Sequence, residues 1–394
     1  MDSSINIQEF FKTMVELEAS DLYLTVARPP MYRVDGKIQP GGEHAFTPEE
    51  LNELAHQMLN EKQRLEFAES REMNMAMSLP GVSRFRVNMF QQRGSVGMVI
   101  RRIKADILSV AEMGLPSILQ DIVMTKRGLV LVVGATGSGK STSLAAMIDY
   151  RNANEAGHII TIEDPIEFVH RHKQSVVTQR EVGFDTLSFQ SALKNTLRQA
   201  PDVILIGEIR DTETMEAAIV FAETGHLCLG TLHSNNANQA IERIMNFFPR
   251  ERHAQIYLQL SFNLRSIVSQ RLVPSLNGKR VAALEILMDT PRLRELIKKG
   301  EVDSLKEGME QGIQEGCQTF DQALFSLYKD GKISLDQALI NADSANNLRL
   351  KIKLAGLKID QEPLAEQSAE NDKPDKSRPA QLQAAAANFR LRNG

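Results

Sequence analysis

The nine residues Gly134, Ala135, Thr136, Gly137, Ser138, Gly139, Lys140, Ser141 and Thr142 constrain the fold of this chain more than any other stretch. They follow the apolar run 128–133 and lead into residues 143–147, which read as a helix. Strand, glycine-rich loop and helix, in that order, are the setting of a P-loop. Glycines let backbone N–H groups turn inward around a phosphate, and the helix N-terminus beneath adds partial positive charge. In such a loop Lys140 reaches the β- and γ-phosphates, and the Ser141 hydroxyl ligates Mg2+. The expected ligand is a nucleoside triphosphate, and the expected fold class is α/β.

The rest of the chain divides by rhythm. Residues 5–18 place Ile7, Phe10, Phe11, Met14 and Val15 at helical spacing. Strands are predicted near 21–26, 72–79, 82–90 and 96–103, with a hairpin turning at Asp35-Gly36. Thr47, Pro48 and Glu50 mark a helix start with a capping box. This N-terminal α+β domain is expected over 1–104, and a linker over 105–116. From 117 to 356 short apolar strands at 129–133, 159–162, 203–206 and 227–231 alternate with helices. That alternation predicts a mainly parallel sheet covered on both faces. Residues 237–271 and 291–350 read as largely helical, around a strand near 280–287. Residues 357–394 lose their apolar content and read as a disordered tail. Near its end, 383–392 could form a short helix.

Three further stretches carry chemistry. The run Val203–Ile206 ends in Gly207 and Glu208, at the sheet edge where open α/β folds bind ligands. Glutamate there suits a general base that orients water. The run Ile159–Ile162 ends in Glu163 and Asp164, placed to hold Mg2+ or its waters. His226 and His233 bracket the apolar run 227–231, and His233 is placed to sense the γ-phosphate. Arg84, Arg86, Arg93, Arg101 and Arg102 crowd the last two strands of the first domain. They read either as a solvated face or salt-bridge partners, or as cations that reach a phosphate held by a neighbouring subunit.

A net charge of −4 argues against a dedicated nucleic-acid binder. Two cysteines, Cys228 and Cys317, support neither a four-cysteine zinc site nor a disulfide framework, which fits a reducing compartment. No secretory signal or apolar run of transmembrane length is visible, so membrane contact is expected only through partners.

The P-loop at 134–142, the acidic box at 159–168, Gly207–Asp211, the histidine box at 225–234 and the preceding run 83–88 together resemble the secretion-type ATPases that power type IV pili and type II secretion. The resemblance covers about residues 5–345 and is similar above all to the PilT-type retraction branch. It implies a homo-hexameric ring of PAS-like N-terminal and RecA-like ATPase domains, the latter with a helical C-terminal part. Nucleotide would lie between the two domains and be completed by a neighbour. Carried over by motif, 134–142 bind ATP and Mg2+, Glu208 is the general base and Glu163 assists. His226 and His233 report nucleotide state, and Arg84 and Arg101 approach the phosphates. The implied partners are a second, PilT-like ATPase and an inner-membrane pilus platform protein, at the cytoplasmic base of the pilus machine. One departure concerns Arg292–Lys299, where PilT-like proteins carry Ala-Ile-Arg-Asn-Leu-Ile-Arg-Glu. The change of polar face puts autonomous retraction in question. A non-motor ATP-binding regulator and an assembly or secretion ATPase remain as alternatives.

Overall fold

The computed structural model describes residues 5–79, 82–103 and 106–357. Beyond Leu357, the expected disordered tail and its short helix lie outside these residues. The described residues up to 103 form one compact unit, and those from 106 a second.

The first unit is a six-stranded antiparallel sheet of β1 (Asp21–Leu24), β2 (Met31–Val34), β3 (Lys37–Pro40), β4 (Glu72–Leu79), β5 (Ser83–Gln92) and β6 (Ser95–Ile103), in the order β3-β2-β1-β6-β5-β4. Asp35 and Gly36 both take positive φ (49° and 79°) between β2 and β3, which a two-residue hairpin turn requires. Alternate residues of β5 sort by face: Phe85, Val87 and Met89 are buried, while Arg84, Arg86 and Asn88 are half-buried on the other side. Helix Ile7–Glu16 lays Phe10, Phe11 and Met14 into this core, and Phe11 stacks on Phe85 with centroids 4.2 Å apart. Helix Pro48–Met58 starts with the predicted capping box of Thr47 and Glu50. The helix Glu61–Ser70 has no counterpart in the sequence reading, because it buries only Phe67 and carries almost no apolar stripe.

The second unit holds β7 (Gly128–Val133), β8 (His158–Glu163), β9 (Val176–Glu181), β10 (Val203–Ile206), β11 (Leu227–Leu232), β12 (Leu264–Pro274) and β13 (Arg280–Met288). Their order is β13-β12-β7-β11-β10-β8-β9, parallel throughout except for β13 against β12. Strand β7 is buried on both faces. Leu129, Leu131 and Val133 enter one apolar cluster, and Val130 and Val132 enter the other. That is the sheet covered on two sides that the alternation predicts.

Three local readings need correction. Residues 264–274 are a strand, not the end of a helical stretch. Strand β9 pairs with β8 and was not anticipated. Within the stretch read as a linker, Val110 and Leu115 are buried in the second unit's core. Beyond β13 the chain is helical, and Phe320, Leu324, Ala338, Leu348 and Ile352 pack with Val273 and Ala283 of the β12–β13 pair. Among the described residues no helix is long and apolar enough to cross a membrane.

Candidate functional site

Parallel strands in register bring their carboxyl ends to one edge of the sheet. Val133 stands opposite Leu232, and Ile206 opposite Ile162. The P-loop after β7, Glu163 closing β8, Gly207 and Glu208 after β10, and His233 after β11 therefore emerge side by side, where open α/β sheets bind ligands.

The loop is shaped by its glycines. Gly134, Gly137 and Gly139 take φ of 155°, 77° and 86°. A Cβ at Gly134 would stand 2.5 Å from Ser138 Oγ and 2.6 Å from the Gln270 carbonyl oxygen, closer than side chains tolerate. Gly139 precedes helix Lys140–Asn154, and no side chain caps that helix's first N–H groups. The Ser138 hydroxyl is buried without a hydrogen-bond partner, so the loop holds unused donors around a cradle that a Cβ would fill. Ala135, Thr136 and Gly137 are exposed at the tip, and Ser141 and Thr142 are half-buried in the first helical turn. The Lys140 ammonium donates to the carbonyls of Gly134 (2.9 Å) and Ala135 (3.0 Å). Burial lowers the pKa of that ammonium, against the opposing charges of Glu208 and Glu167.

The Glu208 carboxylate is held from two sides. Arg210 donates to Oε2 through Nε (2.8 Å) and Nη2 (2.7 Å), and His233 Nε2 lies 3.2 Å from Oε1. Burial and then Lys140 hold the His233 imidazole below its usual pKa, outweighing the nearby Glu208 charge. Arg210 Nη1 also approaches Asp164, at 3.9 Å. Gly207 lets the strand carrying Glu163 pass close by, since a Cβ there would sit 3.0 Å from Glu163 Cα and crowd it.

Glu163 accepts from Thr161 Oγ1 (2.6 Å) and from Gln179 Nε2 (3.2 Å). Burial pushes its carboxyl up to about 7, although both hydrogen bonds pull the other way. Near neutral pH this group changes charge readily. Among the described residues no three His, Cys, Asp or Glu side chains cluster to hold a metal ion by themselves. The hard oxygens of Ser141 and these carboxylates suit Mg2+, which takes few protein ligands and completes its shell with phosphate and water.

One expectation changes. His226 precedes β11 and lies beside Gly128 at the opposite edge, roughly 20 Å along the strand from His233. Its Nδ1 is 3.2 Å from the Phe221 carbonyl and 3.1 Å from Thr224 Oγ1, which makes it part of the turn after helix Thr212–Glu223. Arg84 and Arg101 belong to the first unit, and Arg101 donates to the buried Asp21 at 2.9 Å. The reading by motif also missed Arg210 as the partner of Glu208, and Gln179 on the unanticipated β9. It missed Gln270 too, which donates to the Ser138 carbonyl (2.8 Å) and accepts from Ser143 Oγ (2.7 Å).

Helix Pro291–Lys299 buries Leu293, Leu296 and Ile297. Its polar side is tied locally, with Arg294 on Asp289 (2.5 Å) and Arg292 on Glu307 (3.4 Å).

A family model described as Type II/IV secretion system protein matches residues 4–337. The Type IV pilus ATPase PilU of Pseudomonas aeruginosa is 56% identical over 351 residues, covering 89% of this chain and 92% of PilU. The Type IV pilus retractation ATPase PilT of the same organism is 43% identical over 343 residues, covering 87% of this chain and all of PilT. A crystal structure of the pilus retraction motor PilT with bound ADP superposes with a TM-score of 0.82 at 43% identity, covering 88% of this chain and 99% of that one. The family match over residues 4–337 and the identities to PilU and PilT over most of each chain make this chain a member of the type II/IV secretion system protein family, on the branch of the type IV pilus ATPases PilU and PilT.

Proposed function

We propose that this chain is an ATP-hydrolysing motor subunit for type IV pilus retraction, accessory to a PilT-like ATPase. The observation that carries the proposal is Glu208, fixed by Arg210 and His233 on the same sheet edge as Lys140. A carboxylate held in this way accepts a proton from water aligned on a γ-phosphate, while Lys140 and the loop N–H groups balance charge on the phosphate oxygens. Residues 134–142 bind the triphosphate. Ser141 contributes to Mg2+, which supplies electrostatic stabilisation when bound. Glu163 assists by changing its charge near neutral pH.

The finer architecture is proposed from the family. The first unit, up to residue 104, acts as a PAS-like domain. Residues 117–356 form a RecA-like ATPase with a helical C-terminal part. Six copies form a ring at the cytoplasmic base of the pilus machine. Arg84 and Arg101 act on a neighbour's nucleotide, and force passes to an inner-membrane platform protein. The PilT in the solved complex binds ADP, and the uncapped first turn of helix Lys140–Asn154 supports a phosphate ligand in this chain. Dependence on a second motor is supported by the departure at Arg292–Lys299 and by the 56% identity to PilU.

The test is steady-state ATPase and twitching motility of wild type, Glu208→Ala and Lys140→Ala, with and without the PilT-like partner. The motor reading requires Glu208→Ala to retain ATP binding and lose about 100-fold or more in turnover. Wild type that binds ATP but turns over no faster than Glu208→Ala, alone and with the partner, would establish a regulator in place of a motor.

A further inference from the structure

Strand β12 lies beside β7 in parallel, with Ser269 opposite Val133. One residue further on, Gln270 faces the start of the P-loop. Its side chain is 3% exposed, and both ends of its amide are used. Nε2 donates to the Ser138 carbonyl (2.8 Å), and Oε1 accepts from Ser143 Oγ (2.7 Å) in the first turn of helix Lys140–Asn154. The loop's glycines are built against the same residue. A Cβ at Gly134 would reach the Gln270 carbonyl oxygen at 2.6 Å, and one at Gly139 would reach Gln270 Nε2 at 2.8 Å. The backbone carrying that amide is itself anchored. Arg271 sits 3.7 Å over the Phe320 ring, donates to the Asn341 carbonyl (2.7 Å) and pairs with Asp343 (2.9 Å).

We propose that Gln270 is a positioning residue for the phosphate loop: its amide bridges the Ser138 carbonyl and Ser143, and so holds the loop's N–H groups aimed at the nucleotide. The inference deepens the ATPase reading and rests on it. A trans peptide carries its C=O and N–H on opposite sides, so pinning the Ser138 carbonyl fixes the direction of the Gly139 N–H that shares its plane. Loss of the amide leaves a buried carbonyl and a buried hydroxyl without partners, and the loop relaxes to satisfy them.

The experiment measures ADP affinity by calorimetry, and the ADP-induced rise in melting temperature, for wild type, Gln270→Leu, Gln270→Glu and Ser143→Ala. Gln270→Leu is expected to bind ADP about tenfold or more weakly and to lose most of the ADP-induced rise. A purely structural role would lower the melting temperature with and without ADP alike, and this result would overturn the proposal. Gln270→Glu keeps the shape and the acceptor for Ser143, but its carboxylate faces the Ser138 carbonyl. Its ADP affinity should recover toward wild type as pH falls from 8 to 6, because the protonated acid donates again. A Gln270→Glu protein whose affinity follows the wild-type pH profile would sink the idea even if Gln270→Leu fails to fold. Wild type that binds no ADP would overturn the ATPase reading, whereas wild-type binding matched within twofold by Gln270→Leu would overturn this inference alone.

Discussion

The Glu163 carboxyl, pushed up to about 7 by burial, makes stability depend on pH in a direction that can be worked out. In an unfolded chain a glutamate loses its proton near 4.5. Between that value and 7 the folded protein keeps the proton and the unfolded chain does not. The linkage therefore costs stability progressively as pH rises through this window, and the cost is complete once both states are ionised. One pKa unit corresponds to about 1.4 kcal/mol, so the full shift is worth about 3 kcal/mol, of which about 2 kcal/mol falls between pH 5.5 and pH 8. Glu163→Gln removes the titration, yet its amide oxygen still accepts from Thr161 and Gln179. Urea unfolding of the nucleotide-free protein, followed by helix circular dichroism at both pH values, checks the argument; the chain has no tryptophan to report instead. Wild type should lose about 2 kcal/mol relative to Glu163→Gln on going from pH 5.5 to pH 8, with every other titrating group common to both proteins. A difference constant across that range within about 0.5 kcal/mol would show that Glu163 ionises normally and that burial does not control it.

Two further outcomes test the placement of other residues. His226→Ala should leave ATP affinity within about twofold of wild type in the same binding assay, because the ring is bound to the turn at Phe221 and Thr224 on the far edge of the sheet. Gly134→Ala should weaken ADP binding by about tenfold or more, since its Cβ would displace Ser138 or the Gln270 backbone; unchanged calorimetric affinity would show that the loop tolerates a different shape.

The sheet edge that carries the P-loop and its neighbouring acids could be read from sequence because its residues follow apolar runs, and a parallel strand delivers whatever follows it to the same edge. Lys140, Glu163, Glu208 and His233 were found in this way. The same rule misplaced His226, which precedes its strand. Strand β12 escaped because Ser266, Ser269 and Gln270 are polar yet buried. Two of them find distant partners: Ser269 donates to Glu285, and Gln270 binds the P-loop, whereas the Ser266 hydroxyl is buried without one. No local pattern in residues 264–274 records those partners, so the strand looks amphipathic in no useful register. Arg210 escaped for a related reason, since an arginine two residues beyond an acid reads as surface charge until the turn between them is known. The capped helix at Pro48 was visible from local chemistry alone, because a capping box joins residues three apart.

Gly207–Asp211 shows how densely one short turn can be committed. Gly207 leaves room for Glu163, and its carbonyl takes the Thr231 hydroxyl. Ile209 is 1% exposed, and its N–H bonds to Thr231. Arg210 grips Glu208, and Asp211 caps helix Thr212–Glu223 through Thr214. Five neighbours answer to five different constraints, and only Glu208 carries the carboxylate that the proposed hydrolysis needs. A change at any of the other four would reach the same carboxylate by a different route, through crowding, lost packing, lost charge or a frayed helix. The turn has almost no spare position at which evolution or an engineer could adjust hydrolysis gently, so tuning of the rate would have to come from the residues that surround it.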